Sequence, residues 1–189
     1  MTDIFVNYRS SDEPLAALII DQALTARLDA GRVFRDTRSI ELGAHFPPEI
    51  RQALQACRVL LAIIGTGWLA EDRHGARRID DPQDFVRMEI AEALRRDIRV
   101  VPVLVGGAVL PRASELPADV AGLVTRQYLE LRTRYAAHDV RRLVEELLRI
   151  VGAPPPAGSA GAVPTQVVVT NMHGPVDARR SVFGINNAR

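Results

Sequence analysis

Short apolar runs alternate with longer amphipathic stretches from Ile4 to Val151, and this alternation constrains the fold more than any other feature. The short runs are rich in Val, Ile and Leu, as expected of strands buried on both faces of a parallel sheet. Right-handed crossovers through the intervening helices favour a doubly wound arrangement. We therefore predict an α/β, flavodoxin-like fold, with a five-stranded parallel sheet in the order 2-1-3-4-5 and helices on both faces.

Five pairs of strand and helix fit this pattern. The strands are predicted at residues 3–8, 32–35, 58–65, 98–105 and 126–131. The helices are predicted at residues 12–28, 47–56, 82–95, 118–124 and 137–151. Ser11 or Asp12 is the expected N-cap of the first helix, and Pro47 and Pro82 are expected to begin the second and third.

The composition changes after Val151. Residues 152–164 contain four Pro and three Gly, which cannot continue a helix and predict a linker. Residues 165–189 contain two short β-prone pieces of low charge, with a pair of Asn and the gatekeepers Arg179 and Arg180 beside the second. We expect one domain at 1–151, a linker at 152–164 and a flexible β-prone tail at 165–189. The tail is either disordered, packed on the domain as a hairpin, or able to stack as cross-β.

Charge and composition exclude several classes of protein. Residues 1–151 hold 21 Arg, no Lys and 22 acidic residues, so we expect no nucleic-acid partner. No apolar run approaches the roughly 20 residues that cross a bilayer, and Met1 is not followed by a signal segment, so we expect a cytoplasmic protein without membrane contacts. The single cysteine, Cys57, precedes an apolar strand and is expected to be a buried packing residue. The four His are scattered, which predicts no metal site.

The carboxyl ends of the predicted strands are the first places to look for a ligand site, because ligands of open α/β sheets bind there. Arg9 could hold a phosphate or diphosphate with Ser10 adding a hydroxyl, or it could be an exposed residue beside a helix cap. Asp36 could accept a hydrogen bond from a ribose, although a role in fixing its loop is favoured. Trp68 is expected to pack over the end of the third strand rather than to stack on a ligand.

The third predicted helix presents an aromatic ring and a carboxylate together. Phe85 and Glu89 are one turn apart on the same helical face. A ring beside an anion is a suitable seat for a flat cationic group, so Glu89 is the residue where we expect function. A solvated helix carboxylate is the alternative.

Three familiar site types have no support. Gly65-Thr66-Gly67 lacks the Gly-Lys-Ser/Thr ending of a phosphate-binding P-loop. No Gly-x-Ser-x-Gly elbow for a serine hydrolase occurs in the chain. A phosphorylated receiver domain would need a carboxylate after the third strand, where Gly65 stands, and a lysine after the last.

Several motifs in order give the chain a resemblance to a known family. They are IFVNYRSSD at 4–12, VFRD at 33–36, IELG at 40–43, Glu49-Ile50, VLLAIIG at 59–65 followed by Trp68, DFVRMEI at 84–90 and VPVLV at 101–105. Together they resemble a Toll/interleukin-1 receptor (TIR) domain of bacterial type. The resemblance covers residues 1 to about 151.

The resemblance implies an activity and a site. Many members of the family hydrolyse NAD and release nicotinamide, and some cyclise the remaining ADP-ribose. Glu89 would be the catalytic residue, and the substrate would be bound by five residues. These are Arg9, Ser10, Asp36, Trp68 and Phe85. Residues 37–46 would be the loop that gates the pocket and contacts a neighbouring protomer, with Ile40, Leu42, Gly43 and Phe46 as its main residues. NAD would be the substrate, and no cofactor would be needed.

Two other functions stay open, and the resemblance also suggests partners. A TIR domain without catalysis could act as an adaptor through TIR–TIR contacts, and a nucleoside deoxyribosyltransferase would share the sheet and a glutamate nucleophile. Self-association is expected in either TIR role, with anti-phage defence as the family-level context. The tail resembles bacterial amyloid signalling motifs, which would imply a sensor protein with a matching motif.

Overall fold

A computed structural model describes residues 2–29, 31–35 and 48–152. The strands are β1 (Ile4–Asn7), β2 (Val33–Arg35), β3 (Val59–Ile64), β4 (Arg99–Val105) and β5 (Leu129–Leu131). The α-helices are α1 (Pro14–Thr25), α2 (Pro48–Ala56), α3 (Phe85–Arg95) and α4 (Ala136–Val151). Short 3-10 helices lie at Arg78–Asp80, Ala113–Glu115, Ala121–Thr125 and Thr133–Tyr135.

The five strands form one parallel sheet in the order β2-β1-β3-β4-β5, which confirms the predicted topology. The register aligns Ile4 with Val33 on one side and with Val59 on the other, and Val59 with Arg99. All carboxyl ends of the strands therefore lie at one edge of the sheet and all amino ends at the opposite edge.

Side chains of each strand alternate between two separate cores. Ile4 and Val6 pack with α1 and α4, whereas Phe5 between them packs with α2 and α3. The six residues of β3 are all buried, which explains their continuous apolar run. The helices therefore cover both faces of the sheet, as the alternation predicts.

Several predicted boundaries are wrong. The predicted helix at 118–124 is a 3-10 helix at Ala121–Thr125, and the final strand begins only at Leu129. The backbone N–H of Arg126 instead donates to the carbonyl of Leu123 in a turn, which keeps this residue out of the strand. The third helix begins at Phe85 rather than at Pro82, with Asp84 as its N-cap.

The start of α1 also differs from the prediction. Its N-cap is Glu13, and no side chain caps it. Asp12 is 53 residues before Gly65 in the chain, yet its carboxylate accepts hydrogen bonds from the backbone N–H groups of Gly65 and Gly67, both at 2.8 Å. Asp12 does not cap its own helix because the parallel sheet brings the backbone N–H groups after β3 to its carboxylate instead.

Cys57 follows α2 and is buried, as predicted. Its Sγ lies 3.3 Å from the carbonyl oxygen of Leu54. Burial raises the pKa of this thiol to about 11. The predicted linker and tail, apart from Gly152, lie outside the described residues.

Candidate functional site

The site begins at the carboxyl end of β1, where Asn7 holds the carboxylate of Glu89. The Asn7 side-chain amide donates to Glu89 Oε2 at 2.6 Å and to the carbonyl of Val86 at 3.2 Å. Both partners are acceptors, so the amide has only one orientation that satisfies them. Asn7 is 1% exposed and Glu89 is 5% exposed. Glu89 is therefore a buried carboxylate fixed against the sheet, and the alternative of a solvated surface glutamate is wrong.

The other end of the Asn7 amide has an unusual environment. Its Oδ1 atom is buried and has no hydrogen-bond partner among the described residues. Buried polar atoms without partners are rare in folded proteins. The site therefore keeps an unused hydrogen-bond acceptor on the side chain that holds Glu89.

Arg9 forms a buried ion pair with Asp84, the N-cap of α3. Its Nη1 and Nη2 atoms donate to the two Asp84 oxygens at 2.9 and 2.7 Å, and Nε donates to the carbonyl of Trp68 at 3.2 Å. Both side chains are 2% exposed. An exposed Arg9 beside a helix cap is thus ruled out. In this geometry the guanidinium also faces Asp84 rather than a ligand, because all three of its nitrogens have partners within the protein.

This ion pair connects distant parts of the chain. Asp84 also accepts from the backbone N–H of Arg87, as an N-cap does. The first turn of α3 is therefore tied to the segment after β1 by a fork-to-fork contact between rigid groups. Because Glu89 lies on the same helix, the pair helps to set where its carboxylate stands.

Trp68 belongs to the core on the α2 and α3 side of the sheet and is 2% exposed. The guanidinium carbon of Arg9 lies 5.8 Å from its ring centroid. Its indole N–H is buried and finds no acceptor among the residues that the structure describes. The side chain packs at the end of β3, in agreement with the packing interpretation rather than with a stacking platform.

The loop from β1 to α1 crosses the carboxyl ends of neighbouring strands. Asp12 binds the backbone after β3, as described above, and Glu13 reaches toward Gly106 after β4. Burial, and then the Asp12 carboxylate, raise the pKa of Glu13. Ser10 is exposed in the same loop, next to the buried Arg9. This exposed hydroxyl remains available to a ligand at the sheet edge.

The remaining predicted site residues fall into two groups. Phe85 is half-buried at the start of α3, one turn before Glu89. Asp36 and the predicted gating loop lie outside the described residues, as do its members Ile40, Leu42, Gly43 and Phe46. The structure therefore brings Glu89, Phe85, Arg9 and Trp68 to one edge of the sheet through β1, β3 and α3.

Asn7 and Asp84 are the two site residues that sequence reasoning missed. Asp84 directly precedes an apolar helix, which is a recognisable N-cap signal, and an arginine after the first strand is its natural partner. Asn7 gives no such signal, because a polar residue at the end of a buried strand is compatible with many roles.

The described residues hold neither a cluster of side chains that could bind a metal ion nor a helix that could span a membrane. Among the described residues, no group of three His, Cys, Asp or Glu side chains is arranged to hold a metal ion. Within the same residues, no helix is long and apolar enough to cross a membrane.

The family model for the TIR domain matches residues 4–147, which is most of the chain. The chain belongs to the TIR domain family. The matched range contains every described residue of the site, from Asn7 to Glu89. A search of curated proteins found no match.

Solved structures with a similar fold include other TIR proteins. One is a metazoan TIR-STING receptor from C. gigas in complex with 2′,3′-cGAMP, with 16% identity, a TM-score of 0.50 and coverage of 80% of this chain. Another is the activated Roq1 resistosome recognising the effector XopQ, whose TIR domains show 14% identity, a TM-score of 0.43 and the same 80% coverage. The matches cover 39% of the receptor chain and 84% of the Roq1 chain. This TIR protein thus spans about two fifths of the receptor it matches, and the likeness concerns the fold.

Proposed function

We propose that this TIR protein hydrolyses NAD at the bond between nicotinamide and ribose, with Glu89 as the catalytic residue. The observation that carries the proposal is the buried Glu89 carboxylate, held by Asn7 at the carboxyl end of β1. The TIR family includes NAD-cleaving enzymes. The resemblance of residues 84–90 to the family motif supports Glu89 as the catalytic glutamate. Attack by water would give linear ADP-ribose as the second product, whereas attack by another atom of the same molecule in place of water would give cyclised ADP-ribose.

One carboxylate is chemically sufficient for this reaction. Ordinary glycosidases use two carboxyl groups because the leaving alkoxide has to be protonated. Nicotinamide is cationic in NAD and leaves as a neutral molecule, so no general acid is needed. A fixed anion beside the ribose stabilises the positive charge that develops there. Glu89 supplies that anion, and the half-buried ring of Phe85 lies one turn away to contact the nicotinamide or ribose.

The hydrogen bond from Asn7 has a defined role in this mechanism. It holds Oε2 of Glu89 at the carboxyl end of β1, so that the carboxylate meets the substrate in a fixed orientation. Because the amide also binds the Val86 carbonyl, it cannot rotate freely when substrate enters. Asn7 is thus a positioning residue that keeps the carboxylate in one orientation.

The burial of Glu89 limits when the reaction can occur. At 5% exposure its carboxylate is not accessible to a dinucleotide, so cleavage requires a state in which the surrounding residues have moved. We propose that assembly of several TIR protomers produces this state, with residues 37–46 contacting the neighbouring protomer. A sensor protein that engages the tail, signalling in anti-phage defence and a cytoplasmic location are part of the same proposal.

The same burial also favours a second candidate function. If no assembly opens the site, Glu89 has only a structural role and the protein acts as a TIR adaptor. NAD consumption distinguishes the two. The third candidate, a nucleoside deoxyribosyltransferase, would exchange bases on deoxynucleosides and leave NAD intact.

The decisive experiment measures nicotinamide release from NAD by chromatography, using full-length protein at high concentration or induced to assemble. We expect release by the wild type and none by Glu89→Gln. Glu92→Gln is the matched control, since Glu92 lies three residues further along α3 and pairs with Arg95 on the surface. Equal rates for wild type and Glu89→Gln would overturn the assignment of Glu89. An inactive wild type under assembling conditions would favour the adaptor.

A further inference from the structure

A cavity lies at the amino-terminal edge of the sheet, opposite the edge that carries Asn7. It has a volume of about 490 Å³ and lies between the starts of β4 and β5 and the second half of α4. Three arginines from different elements line it, and we call it the arginine pocket. They are Arg99 at the start of β4, Arg126 before β5 and Arg142 on α4.

The cations of the arginine pocket are not neutralised by the protein. None of the three arginines has a carboxylate partner in residues 2–29, 31–35 and 48–152. Glu146 is the acidic residue that lines the pocket, and its carboxylate pairs with Arg149 at 2.6 Å. The domain as a whole is close to neutral, so this concentration of positive charge is local.

Arg126 is the most deeply placed of the three arginines. Its Nε atom is buried and has no hydrogen-bond acceptor among the described residues. Few buried donors without a partner persist in folded proteins. Because Nε is closed to solvent, an anion in the arginine pocket would contact the terminal Nη atoms of Arg126 rather than Nε.

The rest of the lining indicates what kind of anion fits. The floor is apolar and includes Val101, Leu143 and Leu147, while Tyr128 lines one wall with 54% of its surface exposed. Such a floor accommodates an organic group, and the tyrosine ring offers a face for stacking. Several guanidinium groups suit a phosphoryl group better than a carboxylate, because it has more oxygens and a greater charge.

We propose that the arginine pocket binds a small organic phosphate of about the size of a mononucleotide. The ligand is a small molecule rather than a nucleic acid, because the basic residues surround a single pocket and do not form an extended stripe. The site shares no residue with the NAD site proposed above, and it lies at the other edge of the sheet. Its occupation is thus independent of the catalytic role of Glu89.

Isothermal titration calorimetry with AMP and with inorganic phosphate as probes tests this proposal. The protein is the full chain carrying Glu89→Gln, so that turnover does not contribute. We expect AMP to bind more tightly than inorganic phosphate, and adenosine not to bind. Arg126→Gln and Arg142→Gln should each weaken AMP binding by about 10-fold or more, as loss of a charge-assisted hydrogen bond does.

Two further variants make the test specific. Arg112→Gln removes the same charge from an exposed residue outside the pocket and should change AMP affinity less than about twofold. Arg126→Lys keeps the charge but loses the planar guanidinium that can bind a phosphoryl group through two N–H groups, and should still weaken binding. Circular dichroism checks folding, and Arg142 is an exposed helix residue whose replacement should leave the fold intact. The proposal is overturned if AMP does not bind, or if Arg112→Gln weakens binding as much as Arg126→Gln and Arg142→Gln.

Discussion

At the scale of single residues, the ion pair of Arg9 and Asp84 links the chain after β1 to the start of α3. Its members are 75 residues apart in sequence and both are buried. A buried pair gains little over an apolar pair, but removing one partner leaves an uncompensated charge. Each residue is therefore intolerant of replacement on its own, although neither touches the proposed substrate in this geometry.

Replacing Arg9 alone should strongly destabilise the protein. Arg9→Met leaves the buried Asp84 carboxylate with only the more distant Arg78, whose Nη2 lies 3.8 Å from Asp84 Oδ1, so we expect a loss of about 3 kcal/mol in the free energy of unfolding. Urea denaturation followed by circular dichroism measures it. Arg95→Met, which removes an exposed arginine paired with Glu92, should leave the urea midpoint unchanged. A small effect of Arg9→Met would show that the pair is not buried in solution.

Replacing Asn7 tests whether it positions Glu89, on the basis of the proposed NAD hydrolysis. Asn7→Ala removes the donor to Oε2, and we expect kcat for nicotinamide release to fall by about 10- to 100-fold with little change in KM. Asn7→Asp puts a second carboxylate beside the first, which opposes ionisation of Glu89 and should move the acid limb of the pH–rate profile to higher pH. A purely structural role would lower the amount of folded enzyme without moving that profile.

At the scale of elements, the β1–α1 loop is fastened to the end of β3 through backbone contacts. A Cβ atom on Gly65 would lie 2.3 Å from Glu13 Cγ and 2.5 Å from Asp12 Oδ1. The Asp12 carboxylate cannot withdraw without losing its bonds to Gly65 and Gly67. The absence of a side chain at Gly65 is therefore a condition for this loop to sit on the sheet.

Gly65→Ala should detach or strain the β1–α1 loop. We expect a loss of about 1–3 kcal/mol in unfolding free energy, as in other overpacked sites. Gly122→Ala is the matched control, because a Cβ there meets only Leu94 at an ordinary 3.7 Å. Thermal or urea denaturation of the two variants gives the comparison. Similar stabilities for both would mean that the loop does not make the described contact.

The start of α4 depends on ionisation of Asp139. Its carboxylate accepts from the backbone N–H, Nε and Nη2 of Arg132 at 3.1, 3.0 and 2.8 Å. The Arg132 side chain, then its backbone N–H, hold the pKa of Asp139 well below its ordinary value of 3.8. A depressed pKa in the folded state means that this stabilisation is present above the unfolded pKa and is lost as the pH falls below it.

Asp139→Asn should consequently change the acid stability of the protein. We expect the variant to be less stable than wild type at pH 7, and the difference to shrink as the pH is lowered from about 5 to 3. Urea midpoints across that range measure the effect. Glu145→Gln, at an exposed position on the same helix, serves as the control. A difference that stays constant with pH would contradict an ionic role.

The sequence predicts correctly those strands and helices that depend on the pattern of apolar residues in a short segment. Continuous apolar runs such as Val59–Ile64 predict the strands, and their alternation with helices predicts the sheet order. The contacts that escaped prediction join distant residues, as with Asp12 and Gly65 or Arg9 and Asp84. Capping rules describe only neighbours in sequence, so they assign Asp12 to its own helix and give no reason to pair Arg9 with a residue of α3.

At the scale of the whole molecule, the two faces of the sheet serve different purposes. The α2 and α3 side carries Trp68 and the helix of Glu89, while the α1 and α4 side contributes Arg142 to the arginine pocket. Glu89 itself is too deeply buried for an isolated protomer to bind NAD in this geometry. We therefore expect activity of the proposed kind only in an assembly.

On the basis of the proposed function, nicotinamide release per mole of protein should rise with protein concentration, because assembly is proposed to expose Glu89. A titration across two orders of magnitude in concentration, with light scattering on the same samples, measures both quantities. A specific activity independent of concentration would contradict dependence on assembly.

A synthetic peptide of residues 165–189 tests the tail separately. A cross-β segment should bind an amyloid dye and lose solubility. A soluble peptide that binds no dye would remove the tail as the proposed trigger.

The buried thiol of Cys57 gives this protein a built-in reporter of its own opening. Cys57 is the single cysteine of the chain, lies against α2, and has a pKa of about 11, so at neutral pH it is both shielded and protonated. A thiol reagent therefore labels only molecules in which the end of α2 has separated from the sheet. The labelling rate therefore measures how often α2 separates from the sheet, without any engineered probe. Comparing it with and without assembly shows whether assembly loosens or tightens the packing on the face covered by α2 and by α3, the helix of Glu89.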